Sequence, residues 1–322
     1  MLDVCICTHN PQLDILSLVL QSLAKQTVDR GAFRVLVIDN ASVIRLSEVI
    51  FAQLRNVGIE TRLAFEPVPG LQRARLHAIG KTSSDWILWV DDDNELSPNY
   101  IAEGLNFIQL HPEVGCFGGK LVLPDNLSPK SWVRPFLPFL GIKDAGENVI
   151  IQKADKWGPW EPPGAGAWVH RKVLDEYRRR ARVGEEFFRL GRVGSSGLAS
   201  CDDSILMRGA YRVDMACAYV PQLQLLHHLN RKRFAIKYLV RLMKAYGASH
   251  VVLESIIRGP QSVPNRYANI GAFFMMLIWR FIVSSRHSVA YAIGQVAYHF
   301  GARHEYLKKG TTVQDCGRGA KP

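Results

Sequence analysis

Three consecutive carboxylates, Asp91, Asp92 and Asp93, are the residues of this chain best suited to chemistry. They directly follow the apolar run 86–90, whose aromatic and branched side chains predict a strand buried on both faces. In an extended chain, Asp91 and Asp93 would point to one side and Asp92 to the other. Adjacent acids repel one another, so either some stay protonated or a cation neutralises them. Mg²⁺ and Mn²⁺ prefer such oxygen ligands and often use one or two protein carboxylates plus substrate phosphates.

An acidic turn is the alternative to a metal site. In that interpretation Ser97 caps a helix whose first residue is Pro98, and the acids belong to the loop before it. Acidic loops are common, so the triplet taken alone favours neither interpretation.

Composition places the chain among globular proteins. Its 322 residues are 48% hydrophobic and 21% charged, which is enough for one large domain with an extension, or for two domains. The net charge of +11 indicates an anionic partner, such as a nucleotide, a lipid phosphate or an anionic membrane surface. Nucleic acid is not expected as a partner, because no DNA- or RNA-binding motif accompanies the charge.

Cysteine usage and the N-terminus predict the compartment. The six cysteines show no paired metal spacing, and Cys5 and Cys7 share one face of an apolar strand, where buried thiols are expected. The chain begins with a strand and lacks a basic region followed by an apolar core, so no signal peptide is predicted. We therefore expect the reducing cytoplasm.

Strands and helices alternate in the first third of the chain. Strands are predicted at 4–7, 34–38, 61–65 and 86–90, with helices at 14–25, near 46–54 and after Gly70. This order predicts a parallel α/β sheet with ligands at the carboxyl ends of its strands. Polar clusters follow three of these strands, at 8–10, 39–40 and 91–94. Each cluster alone is compatible with ordinary turn chemistry, but their convergence predicts a binding site.

Four segments in order, at 5–10, 37–42, 70–75 and 90–96, resemble the successive motifs of family 2 glycosyltransferases with the GT-A fold. The resemblance covers about residues 2–228. It implies an α/β GT-A fold and an inverting transfer of a sugar from a nucleotide-diphosphate donor to an acceptor hydroxyl. It also implies a role in building cell-surface polysaccharides or glycoconjugates.

The resemblance implies a role for each matching residue. The acid after the second strand would contact the nucleobase, the turn after the first strand would lie along the nucleoside, and the acids after the fourth would hold the metal and the diphosphate. The implied nucleotide and donor residues are Thr8, Asn10, Asp39, Arg75 and Asp92, and the implied ligands of Mg²⁺ or Mn²⁺ are Asp91 and Asp93.

A glycine-rich segment extends the match. Residues 161–171 resemble the family's Gly-Ala-Gly segment, which lines the cleft for the donor sugar and the acceptor. Gly164 and Gly166 would let the backbone approach a ligand closely, although a tight bend before a strand at 167–169 explains both glycines equally well. Residues 123–152, rich in proline and aromatic residues, predict a variable loop over the cleft.

Two adjacent acids, Asp202 and Asp203, match the place where the family carries its general base. A helix N-terminus lowers the pKa of an acid and a neighbouring acid raises it, and a base that is ionised near neutral pH can accept the proton of an acceptor hydroxyl. We assign the base to Asp203, with Asp202 as the alternative for that role; a helix N-cap is the structural alternative. The chain departs from the family in having Cys201 where glycine is usual and Asp202 where glutamate is usual.

His227 follows a predicted strand at 216–226. The family frequently has a histidine here that completes the metal site or touches the diphosphate, so we assign His227 as a metal or phosphate ligand. A histidine at the end of a strand is also a common packing residue.

The chain divides at residue 228. Residues 1–228 are predicted to form the GT-A catalytic domain and residues 229–322 a helical extension that contacts a membrane, forms a dimer or packs as core. The extension contains a basic helix at 234–246 and an apolar run at 270–283, which is interrupted by Arg280 and too short to span a bilayer. A saccharide or a lipid-linked acceptor and peripheral binding to the inner face of the cell membrane follow as expectations.

Two rival functions share parts of this pattern. A sugar-nucleotide nucleotidyltransferase also combines an α/β fold with acids and a metal, but it normally begins with a glycine-rich basic phosphate loop, which residues 8–11 lack. A non-catalytic nucleotide-binding scaffold is the other rival, and the retained Asp203 argues against it. Release of a nucleoside diphosphate, of pyrophosphate, or of neither distinguishes the three functions.

Overall fold

The computed structural model of the protein describes residues 1–182, 184–194, 197–259 and 267–318, with side chains as far as Lys308. The strands are β1 Leu2–Thr8, β2 Phe33–Asn40, β3 Glu60–Glu66, β4 Trp86–Val90, β5 Asn94–Leu96, β6 Val114–Val122, β7 Ile150–Gln152, β8 Ala167–His170 and β9 Ala216–His227. The helices are α1 Leu13–Ala24, α2 Ala52–Arg55, α3 Leu71–Lys81, α4 Tyr100–Leu110, α5 Arg171–Ala181, α6 Asp202–Met207, α7 Gly209–Arg212, α8 Ile236–Arg258, α9 Ile270–Ser285 and α10 Val289–Arg318.

The described strands form one mixed sheet in the order β3-β2-β1-β4-β8-β6-β9-β5, with β7 paired to β9. Strands β1 to β4 pair in parallel, as the sequence predicts. Outside these four strands the sheet is mixed, and β8 is antiparallel to both β4 and β6. Ala167 pairs with Trp89 and His170 with Trp86, so β8 begins at the edge where β4 ends. The chain therefore enters β8 beside the acidic triplet.

Alternation along the strands builds two apolar layers. Val4 and Ile6 of β1 face a core shared with α1 and α4, whereas Cys5 faces a second core shared with α3 and α5. Cys7 packs against this second core, so the prediction that Cys5 and Cys7 share one face is confirmed. The sheet is thus covered on both faces, as expected for buried parallel strands.

Two predicted helices differ from the structure. Helix α4 begins at Tyr100, because Ser97 still belongs to the sheet edge, where its N–H donates to the Gln224 carbonyl at 3.0 Å. Ser97 therefore does not cap the helix. The helix predicted near 46–54 is a 3-10 segment at Glu48–Phe51 followed by the single turn α2, in keeping with the low helix propensity of its β-branched residues.

The C-terminal helices pack on the sheet-based body and on each other. Val252 and Leu253 of α8 join the second core of the sheet. A Cβ added to Gly247 of α8 would lie 1.9 Å from the carbonyl oxygen of Tyr298, and one on Gly301 of α10 would lie 1.9 Å from that of Lys244. The backbones of α8 and α10 are therefore in direct contact. The helix predicted at 234–246 begins at Ile236 and continues to Arg258.

Helix α9 coincides with the apolar run but is mostly exposed. Of its large apolar side chains, Phe273 and Leu277 are buried, whereas Ile270, Met275 and Ile278 are exposed. The helix therefore packs on the rest of the chain through one side, and its role as core, dimer interface or membrane contact stays a prediction. Among the described helices, none is both long enough and apolar enough to cross a membrane. The domain boundary at residue 228 stays a prediction, although the described strands all end by His227.

Candidate active site

A cavity of about 450 Å³ lies at the carboxyl ends of β1, β2 and β4. The three polar clusters that follow these strands all contribute to its wall, so their predicted convergence is present in the structure. The predicted site residues that line it are Thr8, Asn10, Arg75, Asp91, Asp92, Asp93, Gly164, Asp202, Asp203 and His227.

The acidic triplet forms a turn and not an extended strand end. The N–H of Asn94 donates to the Asp91 carbonyl at 3.2 Å, and the Asn94 amide oxygen accepts from the Asp91 N–H at 3.1 Å. Strand alternation stops at Val90, so alternation does not decide the directions of Asp91 and Asp93, and their shared side stays a prediction. All three carboxylates line the same cavity.

The three acids have different electrostatic surroundings. Burial and the charge of Asp93 raise the pKa of Asp91, and burial and the same neighbour raise the pKa of Asp92 to about 7. The Thr8 hydroxyl donates to the Asp92 carboxylate. Burial also opposes ionisation of Asp93, but His227 and Arg233 outweigh it and hold the pKa of Asp93 below its usual value. The cavity therefore concentrates negative charge that is only partly neutralised by the protein.

His227 is placed beside the triplet by sheet pairing. It pairs with Asn94 across β9 and β5, and its Nε2 lies 3.3 Å from a carboxylate oxygen of Asp93. Its Nδ1 is buried and makes no hydrogen bond to described protein atoms. In this geometry His227 contacts the Asp93 carboxylate directly, which fits the alternative of a packing residue beside the acids.

Two arginines complete the cavity and were missed by sequence reasoning. Arg233 Nη2 lies 3.9 Å from Asp93, and Arg192 lines the same wall. Arg233 belongs to the basic run 231–233, which lies after β9 and directly before the basic helix predicted at 234–246. Arg192 stands in an irregular segment that carries no motif, so the sequence offers no signal for it. Both cations are suitably placed for a phosphate.

The donor set suits a divalent cation that is shared with a phosphate ligand. Among the described residues, no three His, Cys, Asp or Glu side chains are grouped as metal ligands, so the predicted set of Asp91, Asp93 and His227 is not assembled. The turn at the triplet and the contact of His227 with Asp93 account for this. One or two carboxylates beside a diphosphate are nevertheless a normal Mg²⁺ site, and the mutual repulsion of Asp91, Asp92 and Asp93 fits one.

Asp39 is the predicted residue that the cavity does not include. Its carboxylate accepts the backbone N–H groups of Ser42 at 3.1 Å and Leu46 at 2.9 Å, and it is buried. The neighbouring Asn40 lines the cavity and donates its amide to the Val68 carbonyl at 2.7 Å. In this structure Asp39 therefore shapes the loop beside the cavity.

The two glycines of the 161–171 segment have different surroundings. A Cβ on Gly164 would lie 2.5 Å from the Arg75 guanidinium, so a larger residue at this position of the cavity wall would displace Arg75. Gly166 lies outside the wall, adopts φ +68° and accepts the Tyr100 hydroxyl through its carbonyl at 2.6 Å. Gly166 thus makes the tight bend before β8, the alternative that the sequence left open.

The two candidate bases have separate environments. Asp202 is buried and forms an ion pair with Arg75, with 2.6 Å between Oδ2 and Nη1. Burial, partly offset by Arg75, raises the pKa of Asp202 to about 6. Burial alone would lower the pKa of Arg75, but Asp202 holds it above its usual value. Asp203 is half-buried, and its Oδ1 accepts the N–H of Ser204 at 2.8 Å.

Neither acid caps the helix, because Cys201 occupies the N-cap position of α6. Cys201 has φ +71°, a left-handed conformation that favours glycine. The departure noted in the sequence therefore falls on a strained backbone position, where glycine would be the unstrained residue.

A second cavity of about 670 Å³ adjoins the first. Residues common to both walls include Phe139, Pro163, Cys201, Asp203 and Tyr246. The two cavities therefore meet at Asp203. The segment 123–152 contributes Phe139 and Gly141 to both, as expected of a loop over the cleft.

Comparison with known proteins identifies the family. The model for glycosyl transferase family 2 matches residues 3–178, more than half of the chain. The chain belongs to glycosyl transferase family 2. An N-acetylglucosaminyltransferase of Rhizobium meliloti (strain 1021) is 32% identical over 138 residues, which span 42% of this chain and 31% of that relative.

Solved structures of two other proteins are similar to this family 2 chain. A mannosyltransferase from Pyrobaculum calidifontis, in complex with GDP-Man and Mn²⁺, has a TM-score of 0.52 at 15% identity, covering 95% of this chain and 86% of that one. S. aureus TarS 1-349, in complex with UDP-GlcNAc, has a TM-score of 0.49 at 13% identity, covering 97% and 92%. The predicted GT-A fold with C-terminal helices is confirmed.

The Arg75–Asp202 pair yields a prediction about stability. We expect Arg75→Gln to lower the free energy of unfolding by about 3–5 kcal/mol, because it leaves a buried carboxylate unpaired. The exposed pair of Arg55 with Glu48 is a matched control, and Arg55→Gln should cost less than about 1 kcal/mol. Denaturant unfolding of both variants measures the difference.

The same variant has an expected pH dependence. The pKa of Asp202 is higher in the folded state than in the unfolded state, so the folded state holds this proton up to a higher pH. The free energy of unfolding therefore falls as the pH rises from the unfolded pKa to the folded pKa. Loss of Arg75 raises the folded pKa further, so the deficit of Arg75→Gln should be larger at about pH 8 than at about pH 5. A deficit independent of pH would contradict the assignment of the pair.

Proposed function

We propose that the protein is an inverting glycosyltransferase that moves a sugar from a nucleotide-diphosphate donor to an acceptor hydroxyl in polysaccharide or glycoconjugate synthesis. The position of Asp203 carries the proposal. This half-buried carboxylate stands where an acid- and arginine-lined cavity meets a second cavity. A base at such a junction lies between a phosphate-bearing donor and an acceptor.

The donor side has the charges that a nucleoside diphosphate requires. Arg192 and Arg233 line the cavity, and they would stabilise the negative charge of the leaving diphosphate. Thr8, Asn10 and Asn40 occupy the strand ends where the nucleoside would lie. The family match and the name of the Rhizobium relative support sugar transfer as the reaction.

The chemistry is one displacement. Asp203 accepts the proton of the acceptor hydroxyl while that oxygen forms a bond to the anomeric carbon. The bond from this carbon to the diphosphate oxygen breaks on the opposite face, so the configuration inverts and the nucleoside diphosphate leaves with the bonding electrons. Asp202 is less suited to this role, because its carboxylate is buried against Arg75.

A divalent cation, Mg²⁺ or Mn²⁺, would be held by Asp91 and Asp93 and by the donor diphosphate, and would supply charge neutralisation to the leaving group. The protein's part is to present the carboxylates from a rigid turn. His227 and Arg233 keep Asp93 ionised, and Thr8 orients Asp92.

Substitution of the base tests the reaction. We expect Asp203→Asn to lower turnover by about 10²–10⁴-fold with donor affinity unchanged, because the amide cannot accept the proton. Nucleoside diphosphate release with a panel of sugar nucleotides and acceptors gives turnover, and calorimetric titration gives donor affinity. Asp202→Asn is the matched control and should mainly lower thermal stability. If Asp202→Asn is the slower enzyme while folded, the two roles must be exchanged.

Substitution within the triplet tests the metal site. We expect Asp93→Asn to weaken Mn²⁺-dependent donor binding at least about tenfold, the lower range for disturbing even the outer partners of a metal site. Asp92→Asn should have a smaller effect, because an amide oxygen can still accept the Thr8 hydroxyl. Calorimetric titration of the nucleoside diphosphate with and without Mn²⁺ measures both. Equal effects, or donor binding that EDTA leaves unchanged, would refute the assignment.

A further inference from the structure

The second cavity has a wall that differs in chemistry from the first. It is enclosed between the 3-10 segment at Ser131–Leu140, the loop before β8 and the helices α8 and α10. Rings and prolines supply much of its surface, among them Phe139, Trp157, Tyr246, Tyr291 and Tyr298. The catalytic body and the C-terminal extension therefore build this cavity together.

Several polar side chains of this wall are held by hydrogen bonds centred on Glu161. Glu161 accepts the Ser204 hydroxyl at 2.7 Å and the Arg208 guanidinium at 3.2 Å. The Lys143 ammonium donates to the Glu161 carbonyl at 2.5 Å. These contacts hold polar atoms in the wall, so the rings and prolines are what the cavity offers to an occupant.

Trp157 stands at this cavity and is 71% exposed. An indole left in water at the wall of a cavity loses apolar contact that a ligand can restore. Asp203, by contrast, is a polar group: its carboxylate lies where this cavity meets the first cavity. A ligand that contacts both Trp157 and Asp203 favourably has a hydroxyl at one end and an apolar body.

We propose that the second cavity binds the acceptor and that this acceptor is amphipathic, a hydroxyl-bearing head group attached to a hydrocarbon group. This inference rests on the proposed function, because Asp203 orients the acceptor. The head group places its hydroxyl at Asp203, and the hydrocarbon group lies against Trp157 and the rings of the 3-10 segment and of α10. A volume of about 670 Å³ is within the range of sites for such molecules.

Matched glycosides test this proposal. Methyl and octyl glycosides of the same sugars, kept below micelle-forming concentrations, are compared as acceptors and by calorimetric titration without donor. We expect the KM and the Kd to fall by about fourfold for each methylene that the cavity buries, with kcat little changed. Trp157→Ala should reduce the preference for the octyl glycoside about fivefold. Trp279→Ala, which removes an exposed tryptophan of α9, should leave it unchanged.

The outcomes separate this inference from the proposed function. Transfer to methyl and octyl glycosides with equal KM would overturn the apolar acceptor and leave the glycosyltransferase proposal in place. A chain-length preference abolished by Trp279→Ala and not by Trp157→Ala would also overturn it, because the hydrocarbon would then bind at α9. Absence of nucleoside diphosphate release with every acceptor, in protein that still binds octyl glycosides through Trp157, would count against the reaction alone.

A separate observation concerns the surface of α9. Its exposed large apolar residues recur at helical spacing and so share one side of the helix: Ile270, Phe274, Met275, Ile278, Trp279, Phe281 and Ile282. The helix contains no acidic residue.

Charge is distributed very unevenly along the chain. Residues 229–322 contain 15 Lys and Arg against 3 Asp and Glu, whereas residues 1–228 contain 25 against 26. The entire positive excess therefore lies in the extension that carries α9. Described members of the basic set that are exposed include Lys237, Arg241, Lys244 and Arg286.

We infer that the α9 surface docks on an anionic lipid bilayer, with the apolar side of the helix in the headgroup region and the basic residues of the extension at the lipid phosphates. An interfacial helix gains affinity from both parts. Each basic residue near the surface adds roughly fivefold to the partition coefficient. Anionic lipid is favoured over a second copy of the chain, because two copies would bring two strongly cationic extensions together.

Co-sedimentation with vesicles tests the docking surface. We expect the full chain to sediment with vesicles of phosphatidylcholine and phosphatidylglycerol, less with phosphatidylcholine alone, and to be released by high salt. Trp279→Glu should lower the bound fraction about tenfold or more, because a charge then enters the interface. Leu110→Glu is the matched control, since it puts the same charge at an exposed apolar residue outside the extension, and it should bind as the unsubstituted chain does.

Light scattering of the same proteins measures whether they form dimers and so tests the alternative that α9 contacts a second copy of the chain. Dimers that Trp279→Glu dissociates, together with vesicle binding that it leaves unchanged, would assign the α9 surface to contact between copies and overturn lipid docking. Full-length protein that ignores anionic vesicles would overturn it as well.

Discussion

The ion pair between Arg75 and Asp202 is the constraint on which the rest of the site depends. It joins α3, which follows the third strand, to α6, and the two residues are 127 positions apart in the chain. The distance between Nη1 and Oδ2 is 2.6 Å, and both side chains are buried. A pair of charges in such a place is costly to separate, so the two helices are held in fixed relation. The pair also decides which acid is available, because Asp202 is engaged with Arg75 and the adjacent Asp203 faces both cavities.

The acidic triplet shows how the sheet assembles charge from distant segments. Antiparallel β8 starts beside the end of β4 and delivers Gly164, while β9 ends beside β5 and delivers His227. β8 begins at this edge because it runs antiparallel to β4, whereas β9 pairs in parallel with β6 and reaches the edge at its carboxyl end. The repulsion among the carboxylates is therefore tolerated because the surrounding strands fix the turn, and because His227, Arg233 and the Thr8 hydroxyl lie against it.

Local patterns in the sequence were enough to predict the part of the site that the first four strands build. The strands β1, β2 and β4 and the polar residues that follow them could be read from apolar runs and turn residues, and their convergence follows from parallel pairing. The turn at Asp91 and the engagement of Asp39 by Ser42 and Leu46 could not, because each depends on the exact hydrogen bonds of a loop, which an apolar pattern does not encode. The wall position of Arg192 could not either, because it depends on packing between distant segments. The start of α4 was misplaced for the same reason, since the Gln224 carbonyl holds Ser97 in the sheet.

The contact of α8 with α10 through Gly247 and Gly301 has a consequence for how such an enzyme diversifies. Because backbone meets backbone there, the position of α10 is independent of the size of side chains at the crossing. Tyr291 and Tyr298 belong to this helix and line the second cavity. If that cavity holds the acceptor, as proposed, substitutions along α10 would change the acceptor while the first cavity, built mainly on the sheet, would keep the donor.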